Sequence, residues 1–348
     1  MVTERIFETL PTGEPVKIFH LENQSGAYAE VLQYGAILVK LCVPDRDGKL
    51  TDVVLGYDDL AEYQKNGCFF GACIGRSGNR IAGAGFLLDG REVILAKNEG
   101  ENNLHSGPDG FEKKLWEVRH IDQDDNSVTL GRISPDGENG FPGEFNICVT
   151  YEFTEENAIR IVYSGVSDKT TIANMTNHSY FNLSGEGSGN VLDQYLSIHA
   201  QSYTPVGEGS IPLGENVPVE GTPMDFRREK QIGQDIRADF EQLHFTGGYD
   251  HNYVLGRPGE KKIMANAYCR ESGIALEAAT DCCGVQFYAG NFIGEQTGKG
   301  GAAYHDRSAF CLESQFYPNA VNEPDFPSPV VKAGDTYHTE TSYRFYLR

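Results

Sequence analysis

The segment Thr176-Asn177-His178-Ser179-Tyr180-Phe181-Asn182-Leu183 sets a histidine and two asparagines among strand-forming aromatics, directly after the alternating run Ile159–Val166. A histidine so placed can give or take a proton near neutral pH. The aromatics beside it offer a flat apolar face to a ring-shaped ligand. Far downstream, Cys311-Leu312-Glu313-Ser314-Gln315 puts one carboxylate into another apolar run. An acid on His178 and a base on Glu313, held by separate strands, suffice to move a proton onto one oxygen and off another. Burial would raise the Glu313 pKa toward a useful range, but alternation alone leaves its face undecided.

Four further constellations bear polar groups. Gly75–Ile81 carries Asn79 and Arg80 on a Gly-rich turn. They are either surface residues of a loop or donors aimed at hydroxyls, a task for which the guanidinium fork is suited. Asn102–Gly107 surrounds a second histidine, His105, and Gly247–Tyr253 presents Asp250 after a double glycine. Asp250 either caps its own turn or accepts from vicinal hydroxyls. Gln286 interrupts the apolar run Val285–Ala289, and a buried amide needs a partner in protein or ligand. Asp250 and His251 lack any metal-ligand spacing, so no metal is expected. Neither a phosphate loop, a dinucleotide fingerprint nor a nucleophilic serine elbow is present.

Strands must position these groups. Nineteen Phe and eighteen Tyr against one Trp and four Met favour sheet, and forty Gly favour tight turns between strands. Alternation predicts strands at Val16–Leu21, Ala27–Val31, Ile37–Val43, Trp116–Ile121, Ser127–Ile133, Phe145–Phe153, Ala158–Val166, Gln194–Ile198, Lys262–Cys269, Ile274–Thr280, Val285–Ala289, Ala309–Glu313 and His338–Leu347. Asp89-Gly90 predicts a hairpin between Phe86–Leu88 and Val93–Leu95. Helices are expected only at Asp58–Lys65 and Ile232–Phe240. With no repeat and no long linker, the pattern reads as one all-β domain spanning 1–348, a large antiparallel sandwich with few short helices.

The formal charge of −21 argues against nucleic acid and anionic membrane as partners. The eight cysteines form no Cys-x-x-Cys pair, and Met1–Arg5 opens no apolar signal region. A cytoplasmic protein with reduced thiols is expected.

Taken in order, these segments resemble the aldose 1-epimerase (galactose mutarotase) family. The resemblance runs from Tyr34-Gly35-Ala36 and Pro44–Gly48 through Gly75–Ile81, Asn103–Gly107, Phe141-Pro142-Gly143 and Thr176–Leu183. It continues with Tyr203-Thr204-Pro205, Gly221–Arg227, Tyr249-Asp250-His251 and Gly284–Phe292, and closes on Glu313-Ser314-Gln315. It implies a large β-sandwich and the interconversion of α and β anomers of free aldohexoses such as galactose and glucose. His178 would be the acid at the ring oxygen and Glu313 the base, with sugar binding by Asn79, Arg80, His105, Asp250 and Gln286. No cofactor is implied, because only protons move. The partner is a small-molecule aldose, and the chain would act as a monomer or homodimer.

Two departures from the family pattern, Asp281-Cys282-Cys283 and Phe316, bear on substrate preference. A sugar-phosphate epimerase would need a basic pocket, and only Arg76, Arg80 and Arg227-Arg228 stand near the motifs. A non-catalytic sugar-binding protein would be expected to lose the acid or the base. A glycoside hydrolase would need paired carboxylates, where only one glutamate is well placed.

Overall fold

In the computed structural model, which describes residues 1–348, Phe145–Phe153 turns every second side chain into the core and leaves the others partly or fully exposed. That strand belongs to a nine-stranded sheet. From edge to edge it runs Glu117–Asp122, Ser127–Ser134, Phe145–Phe153, Ala158–Ser167, Thr336–Leu347, Ile274–Thr280, Lys262–Tyr268, Tyr195–Ile198 and Lys230–Gln231, every neighbour antiparallel. The last strand of the chain lies in the middle and joins the two halves of the sheet.

A five-stranded sheet covers this one: Val217–Pro218, Ser202–Tyr203, Asp250–Val254, Gly284–Tyr288 and Cys311–Gln315. Tyr253, Val285, Phe287 and Leu312 meet Ile147, Val149, Leu276 and Tyr343 in one cluster of 58 buried residues. Each such side chain contributes roughly 1.5–3 kcal/mol by leaving water. Two sheets face to face with an apolar filling make a β-sandwich. The first five strands, from Val2–Thr9 to Leu50–Asp52, form a separate meander. It packs its apolar face, including Leu21, Val31 and Leu38, into the same cluster.

The expected hairpin is present at Gly85–Leu88 and Arg91–Ile94, with Asp89 (φ 50°) and Gly90 (φ 74°) both left-handed, as its two-residue turn requires. The first expected helix is present as Leu60–Lys65, capped by Asp59, whose carboxylate accepts from Glu62 N at 2.8 Å.

The structure differs from the expected elements in several places. The Ile232–Phe240 helix does not form; the helix is Glu241–Thr246. Ile232 N and Gly233 N donate to Gln194 O and Leu192 O, so the turn ahead of the strand Tyr195–Ile198 takes these backbone groups before a helical ladder can. The strand at Val2–Thr9 has no apolar alternation and is mostly exposed, which hides it from a pattern reading. Thr176–Leu183 is extended, but only Thr176–Asn177 are paired as a strand. Further on, Phe181 and Phe310 exchange backbone bonds (2.7 and 3.0 Å), and from Cys311 the partner becomes Gly284–Tyr288. This change of partner moves the predicted strand Ala309–Glu313 to Cys311–Gln315 and brings Glu313 beside His178.

Candidate active site

The three central strands of the smaller sheet sort their residues by face. Register pairs Asn252 with Gln286 and Gln286 with Glu313, and pairs Asp250 with Tyr288 and Tyr288 with Cys311. All these side chains, and Gln315 two residues on, therefore lie on the face away from the core. His251 pairs with Phe287 and faces inward, edge-on to Tyr203. Asp250 and His251 thus point to opposite faces and cannot share one metal ion.

The polar face closes a cavity of about 200 Å³ whose lining includes Phe69, Asn79, Arg80, Leu104, His105, His178, Ser210, Asp250, Tyr288 and Glu313. His178 enters from the extended segment. In this stretch His178 and Tyr180 turn to the cavity while Phe181 turns to the core. The Tyr180 ring stacks on His178 at 4.9 Å. The two asparagines of the segment are ties rather than ligands. Asn177 donates to Gly71 O at 2.9 Å and Asn182 to Ser308 O at 2.8 Å.

His178 Nε2 lies 3.6 Å from Glu313 Oε1, and His178 Nδ1 lies 3.5 Å from Cys311 Sγ. Glu313 is 2% exposed, and its Oε2 has no hydrogen-bond partner. Desolvation, aided by Asp250 and opposed by Arg80, raises the Glu313 carboxyl well above the usual carboxylate range. Desolvation lowers the His178 imidazole to about 4. It lowers His105 well below its ordinary value too, with His178 and Arg80 adding to the effect.

His105, His178 and Glu313 converge closely enough to suggest a metal triad, but the tautomer of His105 opposes it. Asn79 N–H donates to His105 Nδ1 at 3.1 Å, while His105 N–H donates to Asn79 O at 3.0 Å. With Nδ1 an acceptor, the neutral ring carries its proton on Nε2 and is a fixed donor, not a metal ligand.

The sugar-binding candidates form one network. Gln315, fully buried, donates to Gln286 Oε1 at 3.1 Å and to Asn252 Oδ1 at 3.2 Å, and it accepts from Asn79 Nδ2 at 3.4 Å. Gln286 donates to Asp250 Oδ1 at 2.7 Å. Asp250 is a second carboxylate in the cavity; burial raises its pKa, and Arg80 and Gln286 oppose that rise. Arg80 is the cavity's only Lys or Arg, and Glu99 holds it in a fork with both contacts at 2.7 Å.

All seven predicted residues are thus brought together, six on the lining and Gln286 through Asp250. Sequence reasoning missed Phe69, Glu99, Ser210 and the hub role of Gln315. Phe69 (φ 62°), Asn79 (φ 58°), His105 (φ 54°) and Ser210 (φ 58°) all hold left-handed backbone around the cavity, a conformation that costs non-glycine residues energy and clusters at functional sites. Asn79 and His105 were legible as polar loop residues, whereas nothing in the string marks Phe69. The two departures lie outside the lining. Cys283 packs behind Gln315 with Tyr317 and Phe326, and the Phe316 backbone is tied to Asn174.

The family model described as aldose 1-epimerase matches residues 17–344. This chain belongs to the aldose 1-epimerase family. A galactose mutarotase of Sus scrofa is 42% identical over 346 residues, covering 99% of this chain and 98% of that one. An aldose 1-epimerase of Escherichia coli K12 is 38% identical over 338 residues, covering 96% of each. Among solved structures, a Caenorhabditis elegans aldose epimerase homologue superposes with a TM-score of 0.86 at 31% identity, covering 94% of this chain and 98% of that one. A galactose 1-epimerase from Lactobacillus acidophilus gives 0.86 at 27%, covering 100% and 99%. The chain is accordingly an isomerase of the epimerase class with the family's sandwich fold.

Proposed function

We propose that this aldose 1-epimerase interconverts the α and β anomers of free aldohexoses such as galactose and glucose, with Glu313 as base and His178 as acid. The observation that carries the assignment is the buried contact of 3.6 Å between these two side chains on one cavity wall. Burial disfavours both charged forms: it raises the Glu313 carboxyl well above the usual carboxylate range and lowers the His178 imidazole to about 4, so the two groups titrate as a pair. The reactive form is the carboxylate of Glu313 beside the imidazolium of His178.

Glu313 then takes the proton of the C1 hydroxyl while His178 gives its proton to the ring oxygen. The C1–O5 bond breaks and an open aldehyde forms. Rotation about C1–C2 presents the other carbonyl face, and reclosure with the roles reversed gives the other anomer. His105 Nε2–H, Arg80 and Asn79 offer donors to the hydroxyls, and Asp250, steadied by Gln286, offers an acceptor. Asp250 faces Arg80 and an amide, which suits hydroxyl binding rather than a second proton transfer.

The same reading takes the chain as one domain over 1–348, working as a monomer or homodimer in the cytoplasm. The central place of Thr336–Leu347 in the large sheet supports the first, and eight unpaired cysteines support the last. No helix is long and apolar enough to cross a membrane.

The test is polarimetry on freshly dissolved α-D-galactose and α-D-glucose with wild type and Glu313→Gln side by side. Faster relaxation with wild type alone supports the base. Equal rates for the two proteins remove it.

A further inference from the structure

Glu99 stands outside the cavity lining, yet it governs the cavity's only guanidinium. Its two carboxylate oxygens accept from Arg80 Nε and Nη2, both at 2.7 Å, and Nη1 is left without a hydrogen bond. Such a fork fixes a guanidinium in plane and direction as a single contact cannot. Nor is Glu99 a passing surface partner. Glu99 and Asn102 exchange backbone bonds of 3.2 and 2.9 Å. The Asn98 amide accepts from Leu104 N at 2.8 Å and donates to Leu104 O at 2.9 Å. Leu104 pairs in register with Arg80, and His105 follows it directly. The loop that bears Glu99 is therefore sewn to the strand pair that delivers both Arg80 and His105. The Arg80 side chain is 14% exposed, so its charge is felt inside the pocket more than in water.

We propose that Glu99 is a positioning residue for the epimerisation, clamping Arg80 so that one fixed edge of the guanidinium meets the sugar hydroxyls and no unbalanced positive charge reaches Glu313. This rests on the assignment of Glu313 and His178 made above. The charged groups facing Glu313 are Arg80 and Asp250; His105, His178, Cys311 and the Tyr180 and Tyr343 phenols are the titratable ones. Arg80 favours the Glu313 carboxylate. Removing the Glu99 charge strengthens that pull, so the Glu313 carboxyl ionises at lower pH.

The experiment compares wild type, Glu99→Gln, Glu99→Asp, Arg80→Ala and the double variant Arg80→Ala with Glu99→Gln, by galactose mutarotation as a function of substrate and pH. Glu99→Gln should raise KM about tenfold with a smaller change in kcat, and move the alkaline limb of kcat/KM down by about half a pH unit. In the Arg80→Ala background the same substitution should add nothing, because the residue through which it acts is gone. An unchanged KM and limb in Glu99→Gln overturns the proposal. So does an equal effect in both backgrounds, which marks a merely structural role. Should Glu99→Gln lose its fold, Glu99→Asp decides: a raised KM with an unmoved limb supports the clamp, and a wild-type KM overturns it. A fully active Glu313→Gln would sink the base assignment instead, while the KM and double-variant comparisons still judge Glu99.

Discussion

His178 and Glu313 face each other across 3.6 Å although they lie 135 positions apart in sequence, and neither side chain meets a full-strength partner elsewhere. The carboxylate keeps an unpartnered oxygen, and the imidazole has only a thiol at its far nitrogen. A buried polar atom without a partner costs stability. Here the cost falls where a substrate hydroxyl would cancel it.

The pH–rate profile should therefore be broad. The proposed mechanism runs on one proton over the pair. That state is lost to double protonation only as pH falls toward the His178 value of about 4, and to double deprotonation only above the raised Glu313 value. Polarimetry across pH, corrected for the buffer reaction, should show no inflection near 6.5. His178→Asn should lower the rate about 10²–10⁴-fold with secondary structure unchanged. An inflection at an ordinary histidine pKa would remove the desolvated pair.

Glu313→Gln should stabilise the fold at alkaline pH. The folded-state pKa of Glu313 is raised, so the native state binds more protons than the unfolded state above the unfolded value. Stability is then lost as pH rises from that value through the folded one. The amide has no such loss. Thermal melts at pH 5 and pH 8 should place the variant's advantage at pH 8, and a variant melting lower than wild type at both values would contradict this.

Acid should act through buried neutral histidines. His178 (about 4) and His251 (about 3) both sit below the unfolded value of 6.5 because burial disfavours the charged ring. The unfolded chain then binds more protons, so stability is full above 6.5 and declines as pH falls through the folded values. Urea midpoints should drop steeply between pH 6.5 and pH 4. His251→Gln, away from the cavity, should flatten part of that slope.

Gln315 should matter to both stability and binding. It joins Asn79, Asn252 and Gln286 in one buried network. Gln315→Met removes one hydrogen bond from each of three polar side chains and should cost about 1–3 kcal/mol of unfolding free energy, together with a higher KM for galactose. Urea denaturation and initial-rate polarimetry read the two effects, and a loss of stability alone would confine Gln315 to the scaffold.

Phosphorylated sugars should be poor substrates. Arg80 is the only cation lining the cavity, and Glu99 already balances it. Glucose 6-phosphate should show a kcat/KM well below that of glucose. A preference for the phosphate would require a basic pocket that this surface does not form.

Much of this was legible in the string. Alternation disclosed most strands, Asp89-Gly90 disclosed its hairpin, and the ordered motifs pointed to the residues that the fold gathers around one cavity, because local periodicity and turn chemistry are written in neighbouring residues. Tertiary structure alone decided which face Glu313 took, since a strand shifted by one residue turns every side chain over. It also decided that Gly233 would bond to the turn at Leu192 rather than enter a helix, that Thr176–Leu183 would stay mostly unpaired, and that Phe69 would bend into the pocket wall. Gln315 and Glu99 show the reason most plainly. Gln315 has its partner Asn79 236 positions away, and Glu99 looks like any surface acid until Arg80 is folded against it. Partners so distant in sequence meet only through packing, and packing is what makes of an ordinary glutamate and an ordinary histidine the buried pair proposed as base and acid.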